Sequence, residues 1–101
     1  MRRVEPVKLH TDDELRRYRH ERGYILNVDS ALIVTILHRT SCRYCNPDRN
    51  RGIKVETKIE NHRGDTYYFS ARTQATTIIE QLTREGYRHV DCSFCRPQDT
   101  R

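Results

Sequence analysis

The amino-acid sequence predicts a single α+β domain with a small antiparallel sheet and two helices. Its 101 residues suffice for one domain, and stretches with the period of strands are interspersed with stretches of helical period. All four cysteines fall in two Cys-x2-Cys pairs, 42/45 and 92/95. Because this spacing lets two thiolates converge on one ion, the sequence also predicts one structural zinc site. The predicted zinc-binding domain covers residues 1–101, with 1–10 and 97–101 expected to be flexible.

The first predicted element is a short helix that begins at Thr11. The segment from Thr11 to Glu14 has capping-box spacing and places acidic residues in the first turn, and Gly23 is positioned to end the helix. Only Leu15 and Tyr18 can anchor this strongly basic segment. We therefore expect it to pack loosely or to contact a partner.

Strands are predicted in the next part of the chain. Residues 24–28 and 31–37 form a predicted β-hairpin that turns at Asp29 and Ser30. Its second strand is apolar on both faces and should be central in the sheet. Residues 53–60 alternate cleanly, with charges on one face, which predicts a half-exposed strand that turns at 61–65 into another strand, 66–69.

An amphipathic helix follows, capped by Ser70 or Thr73 and ended by Gly86. Its apolar residues recur at i, i+3, i+4 and i+7, the spacing of one buried helix face. These residues are Ala75, Ile78, Ile79 and Leu82. Residues 87–90 then lead into the second cysteine pair.

Five side chains compete for four zinc positions. Cys42, Cys92 and Cys95 belong to every plausible set, and the fourth ligand is either Cys45 or His38. The Cys-x2-Cys pattern favours Cys45. Strand parity supports His38, because it continues the face of the second hairpin strand that carries its alternate apolar residues. Both alternatives remain open from the residues alone.

The composition indicates that the fold depends on this metal. Hydrophobic residues make up 35% of the chain, which has no tryptophan, so the apolar core should be modest. Zinc binding contributes about 10–16 kcal/mol in small modules, comparable with the whole stability of a domain.

The same cysteines bear on the cellular compartment. No apolar segment follows the charged N-terminus, and the longest apolar run, 31–34, is far too short to span a bilayer. We therefore expect a cytoplasmic protein with no membrane partner. In a reducing cytosol the two cysteine pairs are typical of metal ligands rather than disulfides.

The order of the motifs resembles a known family. His38-x3-Cys42 is followed by 68–70 opening an amphipathic helix, then by Gly86-Tyr87-Arg88 and the segment 92–97, Cys-Ser-Phe-Cys-Arg-Pro. Over residues 24–97 this order resembles the metal-binding domain of the Ada-type DNA methyl-phosphotriester repair proteins. Similar domains, appended to nucleases and other proteins, carry His-x3-Cys in place of the first cysteine pair. The resemblance implies zinc ligation by His38, Cys42, Cys92 and Cys95, with 53–66 as an added hairpin.

The family's chemistry is not expected here. In that family the first cysteine of the first pair is the zinc-activated thiolate that accepts the alkyl group, and His38 takes this position. Because zinc-bound imidazole is not a comparable nucleophile, no catalytic residue is predicted. The minor alternative is an alkyl-acceptor repair protein in which Cys45 is the nucleophile.

Charge indicates a nucleic-acid partner, with DNA favoured over RNA. The net charge is +5, and 16 of the 19 basic residues are arginine, which suits phosphate contact and base stacking. Several arginines surround the cysteine pairs, and each pair encloses an aromatic residue. The predicted nucleic-acid-binding residues are Arg39, Arg43, Tyr44, Arg49, Arg51, Arg88, Phe94 and Arg96.

The main alternative is a zinc-stabilised adaptor that binds another protein. Fourteen acidic residues are interspersed with the basic ones, so the positive field is less one-sided than in dedicated DNA-binding proteins. A metal-dependent hydrolase is a weaker alternative, because hydrolysis needs an open zinc position that a four-ligand, cysteine-rich site lacks.

Overall fold

The computed structural model describes residues 6–97 as an α+β domain built on a five-stranded sheet. Of the ends predicted to be flexible, 1–10 and 97–101, residues 1–5 and 98–101 lie outside the described residues. The strands are β1 (Val7–Lys8), β2 (Tyr24–Asp29), β3 (Val34–Arg39), β4 (Gly64–Phe69) and β5 (Arg88–Asp91). The α-helices are α1 (Asp12–Tyr18), α2 (Val55–Glu60) and α3 (Arg72–Arg84), and a 3₁₀ turn covers Arg43–Cys45.

The sheet is mixed, which corrects the predicted antiparallel sheet. Its strand order is β1-β4-β2-β3-β5, and only the β3–β5 pair is parallel among the described strands. After β4 the chain returns along α3, so that β5 runs in the same direction as β4 and β3. Such a crossover is what a parallel connection requires. The interior position predicted for the second hairpin strand is confirmed, since β3 lies between β2 and β5.

The sheet separates two apolar clusters, because successive residues of a strand point to opposite faces. On one face, Ile25 packs with Leu15 of α1, Val55 of α2 and the cysteines. On the other, Leu26 packs with Ala75 of α3. The cysteines and the two short helices therefore share one face of the sheet.

Helix α2 is a correction: residues 53–60 were predicted as a strand, and the structure has three α-helices where two were predicted. The apolar residues Val55 and Ile59 fit a strand of period 2 equally well as one helical turn. The deciding contact comes from α1, where the Asp12 carboxylate accepts the backbone N–H of Val55 at 2.7 Å. Glu56 reciprocates by accepting the Asp12 N–H at 2.9 Å.

The other predicted elements appear with shifted ends. Helix α1 has the predicted capping box at Thr11 but stops at Tyr18, which stacks on Tyr68 with ring centroids 4.3 Å apart. Helix α3 is capped at Ala71 rather than at Ser70 or Thr73. Strand β3 begins at Val34, later than predicted, because the Asp29 carboxylate accepts the N–H groups of residues 31 and 32 and prolongs the turn. Within residues 6–97, no helix combines the length and apolar character needed to cross a membrane.

Candidate metal centre

Four potential ligands converge where β3 and β5 end. One donor atom each from His38, Cys42, Cys92 and Cys95 lies within 4.8 Å of all the others. Three of these side chains are buried and Cys95 is half-buried. The group can hold one metal ion, and it is the set implied by the His-x3-Cys and Cys-x2-Cys motifs.

The parallel pairing of β3 and β5 assembles this group. Leu37 of β3 pairs with Asp91, the last residue of β5, so His38, near the end of β3, and Cys92, directly after β5, lie side by side. The Cys92 N–H extends the pairing by donating to the Leu37 carbonyl at 2.9 Å. A tight turn, closed by the Cys42 N–H on the Arg39 carbonyl at 2.9 Å, then brings Cys42 back toward His38.

Cys45, the alternative fourth ligand, does not belong to the group. Its side chain is fully buried, and its thiol lies 3.4 Å from the Arg39 carbonyl as a hydrogen-bond donor. Burial raises the pKa of this thiol well above its usual range, with the neighbouring Cys42 adding to the effect. The protonated form of Cys45 is therefore strongly favoured.

Burial also shifts the pKa values of three candidate ligands, Cys42, Cys95 and His38. It raises the pKa of the Cys42 thiol to about 12 and raises that of Cys95. It lowers the pKa of His38 to about 4, and Lys58 adds to this electrostatically, so the imidazole is neutral and ready to ligate. Metal binding must therefore displace protons from the Cys42 and Cys95 thiols but not from His38.

Arg39 is bonded to the second cysteine pair, a role that the sequence reasoning did not assign to it. Its backbone N–H donates to Cys95 Sγ at 3.2 Å. Its guanidinium donates to the carbonyls of Cys95 at 3.0 Å and Arg96 at 2.9 Å. Such outer contacts orient metal ligands, and the positive charge offsets thiolate charge. The available signal was its position, directly after His38.

Three predicted nucleic-acid-binding residues, Arg43, Tyr44 and Phe94, form a partly exposed stack beside the centre. The guanidinium carbon of Arg43 lies 3.8 Å from the ring centroid of Phe94, a cation–π contact. The Phe94 ring is 52% exposed and meets Tyr44 edge-on at 5.8 Å between centroids. The two cysteine pairs are thus joined through their enclosed aromatic residues.

The remaining predicted arginines do not all lie close to the metal centre, contrary to the sequence prediction. Arg49, Arg51 and Arg96 are exposed near the two cysteine pairs in sequence. Arg88 starts β5 opposite Val34, at the far end of the strand pair. At about 3.3 Å per residue, it lies roughly 13 Å along the strand from Cys92. Arg88 therefore does not flank the metal centre.

A hydroxyl–imidazole–carboxylate chain is present elsewhere in the sheet. His89 Nδ1 lies 2.7 Å from Thr35 Oγ1, and its Nε2 lies 2.9 Å from the Asp91 carboxylate, which also pairs with Arg72. Thr35 is only 1% exposed, so its hydroxyl is out of reach of a substrate. This hydrogen-bonded series of side chains therefore connects β3, β5 and α3.

Comparisons with protein-family models, curated proteins and solved structures found no match. The resemblance to the Ada-type domain stays a prediction from its motifs. The functional argument therefore rests on the geometry and charge of the centre and of the surfaces around it.

Proposed function

We propose that this protein is a small zinc module that binds nucleic acid, DNA ahead of RNA, without catalysing a reaction. The proposed ligands of one Zn²⁺ are His38, Cys42, Cys92 and Cys95. Three thiols and one imidazole are a donor set that zinc prefers, and four protein ligands complete its tetrahedral shell.

An orphaned atom supports the fit of an ion. His38 Nδ1 is buried and has no hydrogen-bond partner among residues 6–97. A buried polar atom without a partner is costly, and a metal ion satisfies this nitrogen if Nδ1 is the ligating atom. With its shell closed, zinc holds the two cysteine pairs together and has no open position for an activated water.

The exposed Arg43–Phe94 stack is the observation that carries the nucleic-acid proposal. Phe94 is half exposed beside a buried, polar centre, where an apolar ring gains little from the fold itself. Aromatic rings and arginine planes stack on unpaired bases regardless of sequence, and nearby arginines contact the backbone phosphates. Arg49 and Arg51, both exposed in the adjoining loop, supply such charges.

Binding of oligonucleotides to the zinc-loaded protein tests this proposal. Single-stranded and duplex DNA, and RNA of the same sequence, should be titrated at low and physiological salt. Phe94→Ala should weaken single-strand binding by about 1–3 kcal/mol, the value of one stacked base. Replacing Arg43 and Arg49 by Ala should flatten the dependence of log affinity on log salt by about two contacts.

Leu32→Ala is the matched control, because Leu32 is an exposed apolar residue (74%) in the β2–β3 turn, at the opposite end of β3 from His38. It should leave oligonucleotide affinity unchanged. Absence of binding at low salt, or equal effects of the Phe94 and Leu32 substitutions, would contradict the proposal.

Cys45 does not favour the alkyl-acceptor alternative. An alkyl acceptor needs an accessible thiolate. The Cys45 thiol is fully buried, and burial raises its pKa. Our proposal therefore assigns Cys45 to the apolar core rather than to chemistry.

A protein-binding adaptor is the second candidate, favoured by a separate surface. Leu32 and Ile33, in the β2–β3 turn, are 74% and 50% exposed, and Val90 is exposed on the edge strand β5. The Arg88 N–H donates to the Ile33 carbonyl, so the start of β5 adjoins the turn that carries Leu32 and Ile33. Loss of partner capture on Leu32→Ser, in a protein that binds no oligonucleotide, would support this candidate over the first.

A further inference from the structure

A cavity of about 610 Å³ opens where three segments of the chain meet. The first runs from the end of α1 into β2, the second follows β3 toward Cys42, and the third joins β4 to α3. The lining residues are 19–24, 39–41 and 70–72. Neither the metal centre nor the Arg43–Phe94 stack uses this cavity, except through Arg39.

The lining carries a strong excess of positive charge. Four arginines line the cavity, together with His20, against the single carboxylate of Glu21. One of the arginines, Arg72, also pairs with Asp91 at 3.2 Å from outside the lining. The four arginines are Arg19, Arg22, Arg39 and Arg72. This excess of positive charge would attract an anion into the cavity.

One of these arginines has an unsatisfied donor. Arg19 Nε is buried and has no hydrogen-bond partner among the described residues. Buried donors are nearly always paired, so an orphaned one is a sign of a missing partner. The Ser41 hydroxyl lines the same cavity as a further donor, whereas the Thr40 hydroxyl is already used on the Glu21 carbonyl at 2.6 Å.

We infer that this cavity binds a phosphate group, specifically a phosphodiester of the nucleic-acid backbone. Arginine guanidinium groups match phosphate oxygens in paired hydrogen bonds, which favours phosphate over a halide or a single carboxylate. The volume leaves room for the sugars on either side of the phosphate. This inference rests on the proposed function, and it assigns one backbone contact to residues that the motifs do not include.

Arg39 connects the phosphate to the metal centre. It lines the cavity while its guanidinium holds the carbonyls of Cys95 and Arg96. A bound phosphate therefore rests against the residue that orients the second cysteine pair. Occupancy of the cavity by phosphate stabilises the zinc-loaded form and, by linkage, zinc favours phosphate binding.

The test uses the zinc-loaded chain and two probes, inorganic phosphate alone and a single-stranded oligonucleotide. Phosphate should raise the melting temperature and shift the amide resonances of Gly23, Ser41 and Ala71, which line the cavity. Arg19→Gln with Arg22→Gln should weaken phosphate binding at least tenfold. The same pair should flatten the salt dependence of oligonucleotide affinity by about one contact.

Arg63→Gln with Arg84→Gln is the control, since it removes the same charge from two exposed arginines outside the cavity. It should leave both measurements unchanged. If the Arg19 and Arg22 pair fails to fold with zinc, Arg22→Gln alone is used, because Arg22 is exposed.

The outcomes separate the inference from the proposed function. Unchanged phosphate binding and an unchanged salt slope in the cavity variant overturn the inference, whereas oligonucleotide binding that depends on Arg43 and Phe94 still supports the module. Phosphate binding at Gly23 and Ser41 without oligonucleotide binding overturns the proposed function and the nucleic-acid source. In that result the cavity is a site for a free phosphate compound.

Discussion

At the scale of single residues, geometry within one turn distinguishes the two candidates for the fourth ligand. His38 and Cys45 lie on either side of Cys42, and both carry a donor that metals accept. His38 belongs to the converging group, while the Cys45 thiol points to the Arg39 carbonyl. Cysteine is often buried as a small apolar side chain, and Cys45 is an instance of this use.

Substitution of these two residues should have opposite effects on metal content. Cys45→Ala should retain one zinc per chain and cost roughly 1–2 kcal/mol of stability through lost packing. Loss of a residue that only orients a metal ligand typically lowers metal affinity by about 10–100-fold. His38→Ala removes a ligand itself, so it should lower zinc affinity by at least that factor. Metal analysis after competition with a chelator measures both. Zinc retained by His38→Ala but lost by Cys45→Ala would mean four-cysteine coordination.

At the scale of elements, helix α2 depends on partners that are distant in sequence. Asp12 caps its first turn from α1, and Lys58 reaches back to β2 and β4. The Lys58 ammonium donates to Asn27 Oδ1, to the Asp65 carbonyl at 3.0 Å and to Thr66 Oγ1 at 3.4 Å. Burial lowers the pKa of Lys58 to about 8, although Asp29 and Asp65 oppose this shift.

This lysine should make stability rise with pH in the alkaline range. Between about pH 8, the folded-state pKa, and its ordinary value of 10.5, the unfolded chain binds more protons than the folded one. Lys58 should therefore contribute an increase in the free energy of unfolding through that window, on the order of 3 kcal/mol in full. The buried Cys45 thiol, whose pKa is raised, contributes a decrease above its ordinary pKa of 9, so the Lys58 contribution is read from the difference between the parent chain and Lys58→Met. Urea unfolding of the zinc-loaded protein at pH 7.5 to 10 measures the slope.

Lys58→Met should lack this component of the pH slope, and Lys8→Met, which removes an exposed lysine paired with Asp65, should keep it. Equal pH slopes for Lys58→Met and the parent chain would contradict this prediction, because they would show that folding does not lower the pKa of Lys58.

At the scale of the whole molecule, the metal centre lies at a junction that the β3–β5 pairing brings together. Its ligands come from the end of β3, a turn and the segment after β5, on the sheet face that also carries α1 and α2. Most side chains of the apolar cluster on that face are small to medium in size, and the cluster includes three of the cysteines. Zinc is therefore expected to supply a large share of the stability.

Removal of the metal should unfold the domain. A chelator in excess should abolish the cooperative melting transition of the parent chain, because about 10–16 kcal/mol of metal binding exceeds or equals the usual stability of a domain. Cys92→Ser should behave like the chelated protein without added chelator. Far-ultraviolet circular dichroism with temperature measures both. A Cys92→Ser protein that binds no zinc and keeps the native spectrum would contradict this expectation.

The sequence by itself determined the features that depend on neighbouring residues. The Thr11 capping box, the hairpin of β2 and β3 and the apolar face of α3 all arise from side chains within a few positions of one another. The ligand motifs belong to the same class, because His-x3-Cys and Cys-x2-Cys each fit within a turn. The capping box, the hairpin and the apolar face of α3 are confirmed as local structure, with ends shifted by one to five residues where caps differ.

Only the tertiary structure decided the features that depend on distant residues. Helix α2 is chosen by the Asp12 carboxylate, more than 40 positions earlier, over a strand of equal apolar pattern. The parallel β3–β5 pairing follows from the α3 crossover, and it alone places Cys92 beside His38. The Arg39 side chain lies against the second cysteine pair because its guanidinium donates to the Cys95 and Arg96 carbonyls. A periodic pattern records which residues are apolar, whereas hydrogen bonds between segments decide where each segment meets its partner.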